Sequence, residues 1–299
     1  MTTPEATYRS PVGPTRPTPY VSSGRTPIVG LAAGLGAGTL VALVLSVLYA
    51  YGTLYIPIVQ VEFLLTVAFG AAVGASTTGV MHRFHVRSRA VVVGTSLVLG
   101  TLAWAVSWLP WLYATMQRYG SGAGAIDVLD PTFVGVAIAQ IYEHGTWGIG
   151  SSATSNVSGA MLGAVWVCEA ATIIGFSTGV SLSMTKGRVF CETCESWCTV
   201  SGDLARWDLD HGETLRSSIV ERGELSILSS TPAAVMIDRW LALKLGFCEQ
   251  CGETNVLAID SMTRKVDGKG NVTITDRPFV PYHCISKGEM RTLRQTFRR

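Results

Sequence analysis

Apolar residues dominate four stretches of the chain, 28–50, 61–81, 90–113 and 157–184. About 20 apolar residues cross a bilayer as a helix, so each stretch predicts one transmembrane span. Glu62 is the one charged residue between positions 28 and 81, and Glu169 the one between 157 and 185. Between the third and fourth spans, residues 131–143 repeat apolar positions over a length too short to cross. With Asp130 and Pro131 at its start, this segment predicts a short helix on the outer face or dipping into the membrane. Residues 145–159, rich in Gly and Ser, predict a loop.

Beyond residue 185 the pattern changes. The stretch RWLALKLGF (239–247) predicts a strand, and NVLAIDSMTRK and NVTITDR predict two more around DGKG, a hairpin turn signal. Residues 212–222 predict a helix. Ser286 and Glu289 have the spacing of a capping box opening a last helix. The fold class expected is therefore an α-helical membrane bundle of four transmembrane helices (28–185) followed by a small α+β, zinc-ribbon-like cytosolic domain (186–299). Residues 1–27, rich in Pro and Thr, predict a disordered tail.

Charge supports the division. Only 15% of the chain is charged, against about 25% in ordinary soluble domains. Residues 186–299 alone hold 16 Lys/Arg and 15 Asp/Glu. A net charge of +2 without an aromatic-interleaved basic stripe argues against a nucleic-acid partner. Arg9, Arg16 and Arg25, then Arg83, Arg87 and Arg89, then Lys186 and Arg188 mark alternate connectors, whereas the other connectors carry only Arg118. The positive-inside rule then places both termini in the cytoplasm, with Trp104, Trp108, Trp111 and Tyr113 as an interfacial belt. Rows of small residues, such as Gly70 with Gly74 and Gly175 with Gly179, predict close helix contact, chiefly within the chain, with a homo-oligomer as the alternative.

Two groups of residues carry candidate chemistry. Cys191 and Cys194 form one C-x-x-C pair and Cys248 and Cys251 another, with Gly252 behind the second. In a reducing compartment structural disulfides are rare. Four thiolates on two knuckles match tetrahedral Zn²⁺, one ion per chain. Cys198, His211, His283 and Cys284 are spare donors. A small domain is expected to draw much of its folding energy from such an ion. Glu169 is the second group. A carboxylate in a span needs compensation, expected from Thr66, Thr77, Ser96 or a backbone carbonyl; the functional alternative is a proton or cation site.

The glycine-rich spans, IYEHGTWGIG, VSGAMLGAVWVCEAATIIG and the paired FCETC and CEQC resemble a set of uncharacterised bacterial four-span integral membrane proteins with a cytosolic cysteine-knuckle domain. That resemblance implies the architecture and a bacterial inner membrane, and no activity. The sequence lacks a Ser/His/Asp constellation, a phosphate loop and an H-E-x-x-H helix. The expected function is a membrane-anchored, non-catalytic zinc module that interacts with the lipid bilayer and with a protein partner in the cytosol or membrane. A small transporter using Glu169 and a thiol redox enzyme are the alternatives.

Overall fold

A computed structural model describes residues 16–56, 58–118, 124–145, 157–234 and 238–297. The chain divides into two units, residues 23–186 and a second unit that joins the N-terminal segment through Ser22 to residues 187–299.

The first unit is helical: α1 (Ile28–Tyr55), α2 (Val59–Arg83), α3 (Arg89–Arg118), α4 (Pro131–His144) and α5 (Gly159–Thr185). Among the described residues, four helices, α1, α2, α3 and α5, are long and apolar enough to cross a membrane. Leu48, Leu64, Val98 and Val167 are each more than 60% exposed, which suits side chains bathed in lipid rather than water. In this unit α1 packs on α2 and α3, and α5 packs on the same two helices. The short α4 opens on Asp130, whose carboxylate accepts from the Thr132 N–H at 2.9 Å, with Pro131 in the first turn. Its Ala137 joins Leu112 of α3 and Val128 in a small apolar cluster. Most of the loop expected at 145–159 lies outside the described residues.

Lipid offers little hydrophobic drive for helices to associate, so contact depends on close packing and hydrogen bonds. Both occur where α2 meets α5. A Cβ on Gly70 would lie 2.4 Å from the Ile173 carbonyl oxygen, and one on Gly74 would lie 2.2 Å from that of Ser177. Beside this contact the Ser177 hydroxyl donates to the Ser96 carbonyl at 2.9 Å. The Ser181 hydroxyl donates to Ser96 Oγ at 2.6 Å and lies 2.7 Å from Thr78 Oγ1. Gly175 and Gly179 face open space within the chain.

The second unit is built on an antiparallel sheet. Its strands are β1 (Thr18–Pro19), β4 (Thr199–Ser201), β5 (Arg206–Trp207), β6 (Arg239–Phe247), β7 (Asn255–Val266) and β8 (Val272–Cys284), in the order β1-β8-β7-β6-β4, with β5 also on β6. A separate hairpin pairs β2 (Phe190–Cys191) with β3 (Ser196–Trp197). Between β5 and β6 lie α6 (Gly212–Arg216), which continues as a π-helical turn over Ser217–Arg222, and α7 (Ile227–Ser230), and α8 (Lys287–Phe297) follows β8. The capping box closes: the Ser286 N–H donates to Glu289 Oε2 at 2.7 Å and the Glu289 N–H to Ser286 Oγ at 3.2 Å. In the β7–β8 turn Asp267 Oδ1 accepts from the Lys269 and Asn271 N–H groups, both at 2.8 Å.

One expectation is corrected here. Within the segment 1–27 expected to be disordered, Thr18–Pro19 form β1, with Thr18 opposite Cys284 and Pro19 opposite His283. An open sheet edge recruits backbone whatever the side chains, and proline is tolerated there because an edge N–H need not pair. Residues 1–15 lie outside the described residues. The second unit also has its own apolar core, in which Trp207, Leu215, Ile219, Leu243, Ile259 and Leu293 are buried together.

Candidate metal centre

Local geometry shapes each knuckle before the two meet. Cys191 closes β2, and the turn that follows carries Cys194 and Glu195, the latter at φ +47°. Pairing of Phe190 with Trp197 sets their rings edge to face, with centroids 5.0 Å apart. The second knuckle follows β6. The Cys248 N–H donates to the Thr254 carbonyl at 2.9 Å, and the Gly252 N–H to the Cys248 carbonyl at 3.0 Å. Gly252 has φ +65°, a conformation that only glycine adopts cheaply. This fold lets the Glu253 N–H donate to Cys251 Sγ at 3.4 Å.

The sheet brings the two knuckles together. After Trp197 the chain passes straight into β4, whose Thr199 lies opposite Phe247, the residue before Cys248. The Sγ atoms of Cys191, Cys194, Cys248 and Cys251 consequently all lie within 4.8 Å of one another, with Cys191 and Cys251 at 3.6 Å. Bonds of about 2.3 Å to a tetrahedral zinc ion place thiolates about 3.8 Å apart, so the set fits a metal ion with only small adjustment. All seven cysteines are free thiols.

Electrostatics within the cluster are uneven. Burial opposes ionisation of Cys248, but backbone N–H groups of Cys251 and Gln250 and the Ser196 hydroxyl outweigh it, and the thiol is pushed down to about 6. Ser196 Oγ lies 3.7 Å from its sulfur. Cys194 is pushed up to about 12, first by its hydrogen bonds to Cys251 and Cys248, which hold the proton. The spare donors are outside the group. Cys198 is pushed up to about 12 by burial and then by the neighbouring thiols. Cys284 lies on β8, His283 is buried with Nδ1 2.7 Å from the Pro281 carbonyl, and His211 ends a 3₁₀ turn.

Tyr20 is a supporting residue that the sequence pattern did not single out. Its hydroxyl accepts from the Phe190 N–H at 2.9 Å and donates to the Phe190 carbonyl at 3.3 Å, tying the N-terminal strand to the residue before Cys191.

In the helical unit the partner of Glu169 is Tyr49, not one of the residues expected. The Tyr49 hydroxyl donates to Glu169 Oε1 at 2.7 Å and lies 3.1 Å from Thr66 Oγ1, which donates to the Glu62 carbonyl at 2.8 Å. Thr77 is turned to the Val73 carbonyl and Ser96 to Ser181. The need of a tyrosine hydroxyl in an apolar span for a partner was the available signal. Glu169→Gln keeps an acceptor for Tyr49 and should melt in detergent close to the parent. Glu169→Leu should lose about 1 to 3 kcal/mol, the usual cost of leaving a buried polar group without its bond. Equal melting of the two variants would remove the carboxylate from the packing.

Comparison of the chain with family models, with curated proteins and with solved structures finds no match in any of the three. The functional reading therefore rests on geometry and chemistry.

Proposed function

We propose that the chain is a membrane-anchored zinc-binding module, a non-catalytic interaction or regulatory protein of the bacterial inner membrane. The single observation that carries this is the convergence of four cysteine sulfurs from two sequence-distant knuckles within 4.8 Å. Four thiolates suit Zn²⁺, and a closed shell of four leaves no position for water or substrate, which favours a structural ion over a catalytic one. Cys191, Cys194, Cys248 and Cys251 are its ligands in this reading. Thiol redox enzymes place C-x-x-C at the start of a helix, whereas here each pair sits in a turn beside a strand. Transport through Glu169 is disfavoured by its engagement with Tyr49.

Cytoplasmic termini and multi-pass insertion belong to the same proposal. Lys and Arg placement supports them. So does the pairing of β1 with β8, because an even number of crossings is needed for residues 18–19 and 283–284 to share one side. The bacterial inner membrane follows from the sequence resemblance. A protein partner for the module, in the cytosol or membrane, is the role a closed metal shell leaves open.

One preparation tests both parts. The full chain, expressed in a bacterium with a C-terminal reporter active only in the cytoplasm and purified in detergent, should give a reporter signal and close to one zinc per chain. A folded chain without metal would refute the module, and a silent reporter on a stably produced chain would refute the topology.

A further inference from the structure

Beside the second knuckle, a cleft of about 440 Å³ opens between the turn 247–252 and α8. Three cations of α8 line it, Lys287, Arg291 and Arg294, against one carboxylate, Glu249. Their spacing of four and then three residues sets them on one helix face, while Met290 and Leu293 of the same helix are buried in the core. None of the three forms an ion pair among the described residues.

Each cation is held differently. Lys287 Nζ donates to the Cys251 carbonyl at 3.3 Å, and Arg294 carries its guanidinium 4.0 Å from the centroid of the Phe247 ring. Stacking on an aromatic ring keeps the planar donor fork ordered and its edge N–H groups available. Arg291 is exposed. Two guanidinium forks and an ammonium on one concave wall match an anion with several oxygens. Arginine forks suit phosphate geometry because two parallel N–H donors meet two oxygens.

We infer that this cleft is a binding site for a phosphate-bearing ligand, with Arg291 and Arg294 as its principal contacts and Lys287 linking the bound anion to the cysteine knuckle. A free phosphorylated molecule and an anionic lipid headgroup carry the same chemistry. The cleft shares the second knuckle with the thiolate set, Cys248 and Cys251 lining its opposite wall, but none of the three cations is a metal ligand, so a variant that loses the anion keeps its metal.

Hydrogen exchange of the backbone around residues 287–295, measured on the full zinc-containing chain, tests the site. In one arm pyrophosphate is titrated into the detergent-solubilised protein at constant ionic strength. In the other the protein is placed in nanodiscs of phosphatidylcholine alone or with phosphatidylglycerol. Slowed exchange is expected in at least one arm. Slowing by pyrophosphate alone identifies a soluble ligand, slowing by phosphatidylglycerol alone a lipid, and slowing in both a site that accepts either.

Arg291→Gln with Arg294→Gln should weaken the response about tenfold or more, two charge-assisted contacts being lost. Arg291→Gln alone, which disturbs no described bond, should weaken it by a smaller factor, and Arg291→Lys by less again. Unchanged exchange in both arms, or an undiminished response in the double variant, would overturn the inference. So would loss of zinc from the double variant, which would make these cations counter-charges for the thiolate centre.

Discussion

Cys191→Ser should weaken metal binding about a hundredfold, so that a competing chelator strips the ion while the parent keeps it, and should melt the hairpin that carries it while the long sheet stays folded. Structural zinc contributes about 10 to 16 kcal/mol in small finger peptides. One ligand of four is then worth roughly 3 kcal/mol, or about a hundredfold in affinity. The consequence is local because the hairpin β2–β3 has only two residue pairs, whereas β6 and β7 share nine. Two-stranded hairpins are marginal in water. The core around Trp207 and Ile259 contains none of the four cysteines and should survive. Fast amide exchange at Phe190, with slow exchange retained at Leu243 and Ile259, is the expected pattern, and a strong chelator should reproduce it in the parent protein. Cys198→Ser and Cys284→Ser should keep the ion. Metal held by Cys191→Ser as tightly as by the parent, or lost by Cys198→Ser, would show the shell to be drawn wrongly.

A methyl group added at Gly74 should be the most damaging small change in the helical unit. Its Cβ would lie 2.2 Å from the Ser177 carbonyl oxygen and 2.9 Å from the Ser177 Cα, atoms of a backbone that cannot rotate away. Helices α2 and α5 must separate to accept it, which also stretches the bonds that Ser181 makes to Thr78 and to the Gly74 carbonyl. Overpacking of this kind costs about 1 to 3 kcal/mol. Gly79 lies on the same helix with nothing within 4 Å of an added Cβ. Gly79→Ala should therefore be neutral or stabilising by up to about 1 kcal/mol, from helix propensity alone. Thermal melts in one detergent compare the two variants, and a Gly74→Ala protein as stable as Gly79→Ala would show that α2 and α5 do not approach so closely.

What the sequence made legible follows from which interactions are local. Four apolar runs declare themselves because lipid imposes a length and excludes charge. The DGKG turn and the Ser286–Glu289 box are readable because their partners lie within a few residues. The knuckles were visible as two C-x-x-C pairs, but their meeting depends on β4 pairing with β6, a contact that spacing alone does not reveal. Tyr49 was missed as the partner of Glu169 because the pair is separated by 120 positions and joins helices whose rotation is set by packing. The basic wall of α8 was hidden differently: counted over the whole unit its charges cancel, and only the fold gathers Lys287, Arg291 and Arg294 on one side of a cleft. β1 was hidden by its polar, proline-containing composition, since an edge strand can be held by main chain alone.

The pairing of Thr18 with Cys284 spans 266 positions and fixes an order of assembly. During synthesis the N-terminal strand leaves the ribosome first and has no partner until β8 is made, some tens of seconds later at about 5 to 20 residues per second. All the membrane helices are translated in between. The last strand to emerge must then capture the first, closing a loop whose entropic cost grows only logarithmically with its length. Until that capture the edge of β8 is open, and an unpaired edge recruits other chains. Removal of residues 16–20 should consequently reveal itself first in yield and aggregation during production, ahead of any loss of metal affinity in the molecules that mature.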